Sequence, residues 1–188
     1  MKKFVLTVLA VAAMVAPAAA QYGDISTYSD AAGTSCNIAD TTPGFSLKDV
    51  FIMHKHTTGA TASQFKVNLT GSSTFIFSSQ TIPAGMLNLG NANDDISIAY
   101  GGCLQSDFLI LTITYIAFGT SPACSHIVIE PAATSPIPGE LAMVDCTVPS
   151  GELHVPANGV ATINPDGTCQ CDVAVESKTW GGIKALYR

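Results

Sequence analysis

The sequence predicts an all-β fold, a β-sandwich of immunoglobulin-like or jelly-roll type with about nine strands and disulfide staples. Three observations predict it. Short apolar stretches recur along the chain and are separated by Gly, Pro and Asn. The 3.6-residue periodicity of amphipathic helices is nearly absent. The chain also contains six cysteines, an even number that suits a protein exported to an oxidising compartment.

The beginning of the sequence predicts an export signal. Lys2 and Lys3 precede an apolar stretch over residues 4–15, and a proline followed by small residues comes next. This is the layout of a cleaved secretory signal peptide, and the stretch is shorter than the about 20 residues that span a bilayer. We therefore expect a mature chain without a transmembrane segment. The expected division is a signal peptide over 1–20, one β-sandwich domain over 21–177 and a C-terminal tail over 178–188.

Charge narrows the range of partners. Removal of Lys2 and Lys3 leaves six basic residues against fourteen acidic ones, a net charge of −8. Such a surface repels phosphate groups, so a nucleic acid is not expected as a partner. We expect a bacterial protein that is secreted and resides in the periplasm, on the cell surface or outside the cell.

Nine segments have the pattern of strands. Residues 63–70 alternate, with Phe65, Val67 and Leu69 facing inward, and the Gly71-Ser72-Ser73 turn predicts a hairpin with residues 74–78. Residues 108–118 are the longest apolar run and predict a central strand. The other predicted strands cover residues 46–56, 96–100, 126–130, 141–146, 160–164 and 169–176.

All six cysteines lie in the predicted mature chain and predict three disulfides. They are Cys36, Cys103, Cys124, Cys146, Cys169 and Cys171. Cys169 and Cys171 are two residues apart in a predicted extended run, so their Cα atoms would lie about 6.6 Å apart. This distance is at the outer limit for a bridge between them, and we therefore expect each to pair with a distant partner. Six cysteines allow fifteen pairings, and the sequence does not choose among them.

Three segments resemble strands of cohesin-type and related carbohydrate-binding β-sandwich modules. They are residues 60–69 (ATASQFKVNL), 95–100 (DISIAY) and 109–115 (LILTITY). The chain is also similar to secreted bacterial proteins that share its cysteine layout and its Trp-Gly…Leu-Tyr-Arg ending. The resemblance rests on hydrophobic pattern, implies a binding or assembly role and carries over no site residue.

Two groups of residues suit a metal ion. His54 and His56 are two apart on a predicted strand and would hold copper or zinc with a third ligand such as His126 or His154. Alternatively, they lie on a solvated rim where the strand leaves the core. The loop 91–95 offers Asp94 and Asp95 as calcium ligands, although turn chemistry explains the same residues and the alternating spacing of a calcium loop is missing. We expect no cofactor unless one of these two groups binds calcium, copper or zinc.

Signals of catalysis are weak. The sequence has no G-x-S-x-G, H-E-x-x-H or phosphate-binding glycine loop. Ser125 and His126 are neighbours on a predicted strand, so their side chains point to opposite faces. We expect no enzyme, and the remaining catalytic alternative is a secreted hydrolase with an unrecognised pair of carboxylates.

The tail (residues 178–188, KTWGGIKALYR) is basic and holds the only tryptophan of the chain. As a helix it would present Trp180, Ile183 and Tyr187 on one stripe, with Lys184 and Arg188 beside them. It either packs on its own sandwich or is recognised by a partner.

The leading interpretation is a non-catalytic extracellular or cell-surface module for adhesion, assembly or glycan binding. Its partner is expected to be a cell-envelope component, a glycan or another extracellular protein. Glycan binding would need exposed aromatic side chains, and the candidates are Tyr22, Tyr28, Tyr115, Phe118, Trp180 and Tyr187. The alternative is a periplasmic copper or zinc protein that uses His54 and His56.

Overall fold

The computed structural model describes residues 22–41, 43–147 and 150–171. These residues form eleven strands, and they include no helix that is long and apolar enough to cross a membrane. In chain order the strands are β1 (Tyr22–Tyr28), β2 (Asn37–Ile38), β3 (Phe45–Thr70), β4 (Phe75–Thr81), β5 (Leu87–Asn91), β6 (Asp95–Phe118), β7 (Ser125–Glu130), β8 (Ala142–Asp145), β9 (Leu153–His154), β10 (Ala157–Asn158) and β11 (Val160–Ile163). The predicted all-β sandwich is confirmed. The predicted signal peptide, the tail and residues 172–176 of the last predicted strand lie outside the described residues.

Two long strands, β3 and β6, form the spine of the fold. They pair antiparallel from Phe45 opposite Phe118 to Phe65 opposite Ile96. The sequence predicts that the strands end at residues 57–62 and 101–107, which are rich in Gly and polar residues. In the structure, both strands continue through these residues. Register shifts between His54 and Ala62 absorb them, because a β-bulge bends a strand without terminating its pairing.

The first sheet has a different strand order at each end of this spine. At one end the order is β10-β1-β3-β6-β4, and at the other end it is β9-β8-β3-β6-β5. The neighbours change where the register shifts occur, since β1 pairs with β3 up to Thr57 and β8 pairs with it from Ala60.

The second sheet begins where β3 leaves the first. Residues 66–70 of β3 pair with β7, which pairs with β11, and β11 pairs in parallel with β2. Strands that turn the corner between sheets are typical of β-sandwiches. The predicted hairpin between residues 63–70 and 74–78 is wrong: β7 pairs with this part of β3, and the chain after Ser73 crosses to the edge of β6 as β4.

The core lies between the two sheets and follows the period of two that strands impose. Phe65 and Val67 of β3 are buried and Asn68 is exposed, as the alternation predicts. Ile96 and Ile98 of β6 face the core beside them, and Ile127, Ile129 and Ala161 come from the second sheet.

Three disulfides staple the domain, as predicted. The pairs are Cys36–Cys171, Cys103–Cys146 and Cys124–Cys169. Cys169 and Cys171 each take a distant partner as expected, although the described residues 169–171 of the last predicted strand are not part of a strand. All six cysteines are paired, so the chain has no free thiol.

Candidate functional site

An apolar row crosses five strands on the outer face of the first sheet. From β5 to β9 the mutually paired residues are Leu87, Ala99, Ala62, Val144 and Leu153. Directly opposed residues of antiparallel strands point to the same side of a sheet, so these side chains share one face. Leu87 is 74% exposed and Leu153 is 46% exposed.

A second row runs parallel to the first, two residues further along each strand. Its members are Leu89, Ser97, Gln64 and Ala142, and Leu89 is 77% exposed. The two rows and Pro136 line a groove of about 420 Å³. We call it the apolar groove.

The shape of the apolar groove follows from the sizes of its side chains. Leu87 and Leu89 of β5 form one wall, and Leu153 of β9 lies on the other side. The floor between them carries small side chains, among them Ala62. Four strand spacings of about 4.8 Å separate β5 from β9, roughly 19 Å in all. An α-helix with its side chains measures about 10–12 Å across and fits that width.

A hydrogen-bond network fixes one end of the apolar groove. The Asp95 carboxylate accepts hydrogen bonds from the Gln64 side-chain amide (2.9 Å), from the Thr134 backbone amide (3.1 Å) and from the Thr134 hydroxyl. Burial works against ionisation of Asp95, but the bonds from Thr134 and Gln64 outweigh it and lower the pKa of that carboxyl. The network holds the groove-lining Gln64 and ties β3 and β6 to the loop that carries Pro136.

The Cys103–Cys146 disulfide holds the strands near the groove together. Cys103 belongs to β6 and Cys146 directly follows β8, so the bridge passes over β3, the strand between them. Gly59 of β3 lies beneath it: a β-carbon there would lie 2.9 Å from the Cys146 sulfur and 3.2 Å from the Cys103 sulfur. The glycine is required because the bridge leaves no room for a side chain.

The surroundings of the apolar groove are acidic. Asp95 lies at one end, and Glu152, with its side chain 55% exposed, precedes Leu153 on the far side. No basic side chain is among the groove-lining residues of the described chain. The three described lysines are bound elsewhere, Lys48 to the Ala39 carbonyl oxygen, Lys55 to Asp107 and Lys66 to Glu130.

The two predicted copper or zinc ligands, His54 and His56, differ from each other in their surroundings. His54 is fully buried, donates from Nε2 to the Tyr22 carbonyl oxygen (3.0 Å) and accepts at Nδ1 from the Tyr100 hydroxyl (3.2 Å). His56 has a φ of 56° and its Nδ1 lies 2.7 Å from an Asp24 oxygen. This left-handed conformation interrupts the alternation on which the H-x-H prediction rests. Metal binding at His54 would require one of its ring nitrogens to give up its partner, and the site stays a prediction.

The other two histidines are also in contact with neighbours. His154 stacks on the Tyr22 ring with centroids 3.8 Å apart and lies 3.7 Å from Glu152. His126 lies 3.4 Å from the Thr162 hydroxyl. Within the described residues, the one cluster of metal-ligating types comprises Cys124, Asp166 and Cys169. Its two sulfurs are bonded to each other, so they are not thiolate ligands.

The predicted calcium loop is the turn between β5 and β6. The exposed Asp94 accepts a hydrogen bond from the Asn91 side chain (3.0 Å). Both oxygens of Asp95 accept from Gln64 and Thr134 in the network described above. These contacts match the turn chemistry that the sequence offers as the alternative, and calcium binding stays a prediction.

Two of the four described aromatic candidates for glycan binding are buried. Tyr28 and Tyr115 are buried, because they face the core, so these two were predicted wrongly as surface residues. Tyr22 is half-buried against His154, and Phe118 is 51% exposed. Trp180 and Tyr187, with the tail residues Ile183, Lys184 and Arg188, lie outside the described residues.

A second exposed apolar patch lies at the other end of the spine. Phe45 and Phe118 make an edge-to-face contact with ring centroids 5.5 Å apart, and Leu47 and Ile76 are exposed beside them. Leu47 is 62% exposed, which makes it comparable to Leu87 and Leu89 in size and exposure. It therefore serves below as a matched control outside the apolar groove.

Comparison with solved structures identifies the fold as that of cohesin modules. A cohesin module from a Clostridium perfringens family 33 glycoside hydrolase superposes with a TM-score of 0.54 at 10% identity, over 78% of this chain and 99% of that one. A type II cohesin domain from the cellulosome of Acetivibrio cellulolyticus gives 0.50 at 14% identity, over 75% and 94%. The cohesin-type resemblance of the sequence is thus confirmed as a likeness of fold. The sequence matches no protein-family model and no curated protein.

Sequence reasoning missed the residues of the apolar groove. Leu87 and Leu89 belong to a segment, LNLGN, that was not among the predicted strands. Its alternation of leucine with polar residues was the available signal, but alternation alone predicts that leucines face a core. Only the pairing of β5 with β6 shows that they face outward.

Proposed function

We propose that this protein is a secreted, non-catalytic assembly module that binds another extracellular protein in the apolar groove. The exposure of Leu87 and Leu89 at 74% and 77% carries this proposal, because both belong to a contiguous apolar face. Burial of a leucine side chain contributes about 1.5–3 kcal/mol, so a partner that covers both gains roughly 3–6 kcal/mol. Large apolar patches with polar rims are typical of protein interaction sites.

The chemistry of the groove supports a binding role over a catalytic one. The described residues that line it include no His, Cys, Asp, Glu or Lys. General acid–base catalysis needs such a group within hydrogen-bond reach of the substrate, and a serine nucleophile such as Ser97 needs one as its base. The groove offers shape and apolar surface instead.

The proposed partner is a protein segment with an apolar side and basic flanks. The width of the groove between β5 and β9 suits a single helix that lies along the strands, and the nearby Asp95 and Glu152 favour basic residues in the partner. The cohesin fold, known here from a module of a cellulosome, is compatible with an assembly role. Three disulfides and the predicted signal peptide support a location in the periplasm, on the surface or outside the cell.

The proposed function is tested by measuring how residues 21–188 and variants of the apolar groove bind a protein partner. Proteins retained by residues 21–188 from the host's envelope and culture fluid are identified, purified and rebound in isolation. We expect Ala99→Asp and Leu89→Asp each to weaken that binding by at least tenfold, while Leu47→Asp leaves it unchanged. Equal binding by all variants would place the binding site on a different surface. Retention on a polysaccharide alone would contradict a protein partner.

The copper or zinc alternative has its own direct test. Binding at His54 and His56 would raise the melting temperature of residues 21–188 in the presence of Cu²⁺ or Zn²⁺, since a ligand specific for the folded state stabilises it. Replacement of both histidines by Gln would then remove the increase. An unchanged melting temperature would exclude this site.

A further inference from the structure

The tail of this chain has the chemistry that the apolar groove would select. We infer that residues 178–188 dock in the apolar groove of their own chain and have to be displaced before a partner binds. The inference rests on the proposed function in one respect, that the groove is a ligand site. It adds the identity of an occupant and makes the site self-regulated.

Complementary side-chain size is the first reason. The floor of the apolar groove carries small residues such as Ala62 and Ala99 between leucine walls, which leaves about 420 Å³ for larger side chains. The tail supplies Trp180, Ile183 and Tyr187, spaced for one apolar stripe. Trp and Tyr are the side chains that most often anchor such contacts, because each buries about 150–250 Å².

Opposite charge is the second reason. The described residues carry twelve acidic side chains against three lysines, a net charge of −9. The tail carries Lys178, Lys184 and Arg188 and no acidic side chain. Attraction between the two favours docking and weakens as salt screens it.

The length of the connecting chain is the third reason. Cys171 is held to Cys36 by a disulfide, and nine residues further on the chain reaches Trp180. Nine extended residues span about 30 Å, roughly twice the radius of gyration of about 15 Å that a domain of this size has. A tether of this length confines the tail to the surface of its own domain, at an effective concentration on the order of millimolar. A weak contact is then enough to occupy the groove within one chain.

The experiment uses Trp180 as the reporter, because it is the only tryptophan of the chain. Tryptophan emission is recorded for residues 21–188 and for a synthetic peptide of residues 178–188. We expect the emission of the protein to be shifted to the blue of the peptide, and the shift to be lost in Ala99→Asp and kept in Leu47→Asp. A hundredfold dilution should leave it unchanged, because the contact is intramolecular.

Each other result contradicts the inference in a distinct way. Emission identical to that of the free peptide means that the tail does not dock. A blue shift that survives in Ala99→Asp places the tail on another surface of the sandwich, and one that disappears on dilution assigns the groove to the tail of a second copy. The proposed function is tested separately, since loss of partner binding in Ala99→Asp supports it whether or not Trp180 responds.

Discussion

Gly59 shows how a single residue sets the geometry near the groove. A β-carbon at this position would lie 2.9 Å from both the Cys146 sulfur and a methyl carbon of Thr147. We expect Gly59→Ala to lower the free energy of unfolding by about 1–3 kcal/mol, the usual cost of an added methyl in a packed site. Urea unfolding of the oxidised protein measures it. Gly102→Ala is the control, because nothing lies within 4 Å of its β-carbon, and equal midpoints for the two variants would contradict the packing argument.

His54 links the stability of the fold to pH. Burial lowers the pKa of His54, so the folded protein keeps the ring neutral, with Nε2 donating to Tyr22 and Nδ1 accepting from Tyr100. The unfolded chain takes up a proton near pH 6.5, which the folded chain refuses until a lower pH. The stabilising contribution of the neutral ring is therefore present above pH 6.5 and is lost as the pH falls towards the folded pKa.

The measurement is the free energy of unfolding between pH 8 and pH 5 for the wild type and for His54→Gln. We expect the wild type to lose stability below pH 6.5 with a slope of at most about 1.4 kcal/mol per pH unit from this residue. His54→Gln should be less stable at pH 8 but flatter with pH. Identical pH dependence in the two proteins would show that His54 does not titrate in this window.

The disulfides act at the scale of strands, and two of them form a matched pair. Cys103–Cys146 and Cys124–Cys169 close loops of similar length, with separations of 43 and 45 residues. Loop entropy predicts a loss of about 4 kcal/mol for either bridge when both cysteines become alanine. The first bridge also holds β6 next to β8 near the groove. We expect its removal to weaken partner binding more than removal of the second, measured at a temperature where both variants are folded, and equal losses would contradict this role.

The leucines of strand β5 lie on the surface and not in the core. Leu89 is 77% exposed, whereas Ile98 of the adjacent strand is 1% exposed. Leu89→Asp is therefore expected to change the free energy of unfolding by about 0.5 kcal/mol or less, and Ile98→Ala to lower it by about 2–5 kcal/mol. Thermal and urea unfolding measure both. A loss as large as that expected for Ile98→Ala would contradict the assignment of Leu89 to the outer face of the sheet.

At the scale of the whole molecule, much of the fold follows from local pattern. The alternation at Phe65 and Val67 predicted the correct faces, and the spacing of Cys169 and Cys171 predicted distant partners. Local pattern did not show that β3 and β6 continue through their polar middles, because the bulges are stabilised by pairing with strands far away in sequence. Local pattern also did not predict β1, because its sequence is largely polar. The strand is nevertheless mostly buried and pairs with β10 on one side and β3 on the other.

The candidate site was beyond sequence reasoning for a related reason. The apolar row is assembled from five strands between Ala62 and Leu153, and none of its members stands out locally. Apolar residues in alternation predict burial, so an exposed leucine such as Leu87 is identified only after pairing is known. The histidines stood out in the sequence, but their surroundings depend on Tyr22, Tyr100 and Asp24, which lie far away along the chain.

The most direct test of the apolar groove as a protein-docking surface is site-specific photo-crosslinking in the native cell. A photoreactive amino acid is placed at Leu89 in the groove or at Leu47 in the other exposed patch, and cross-linked products are identified by mass spectrometry. The proposed function predicts one defined protein partner linked from position 89 and not from position 47. Products from both positions alike, or none from position 89, would contradict it.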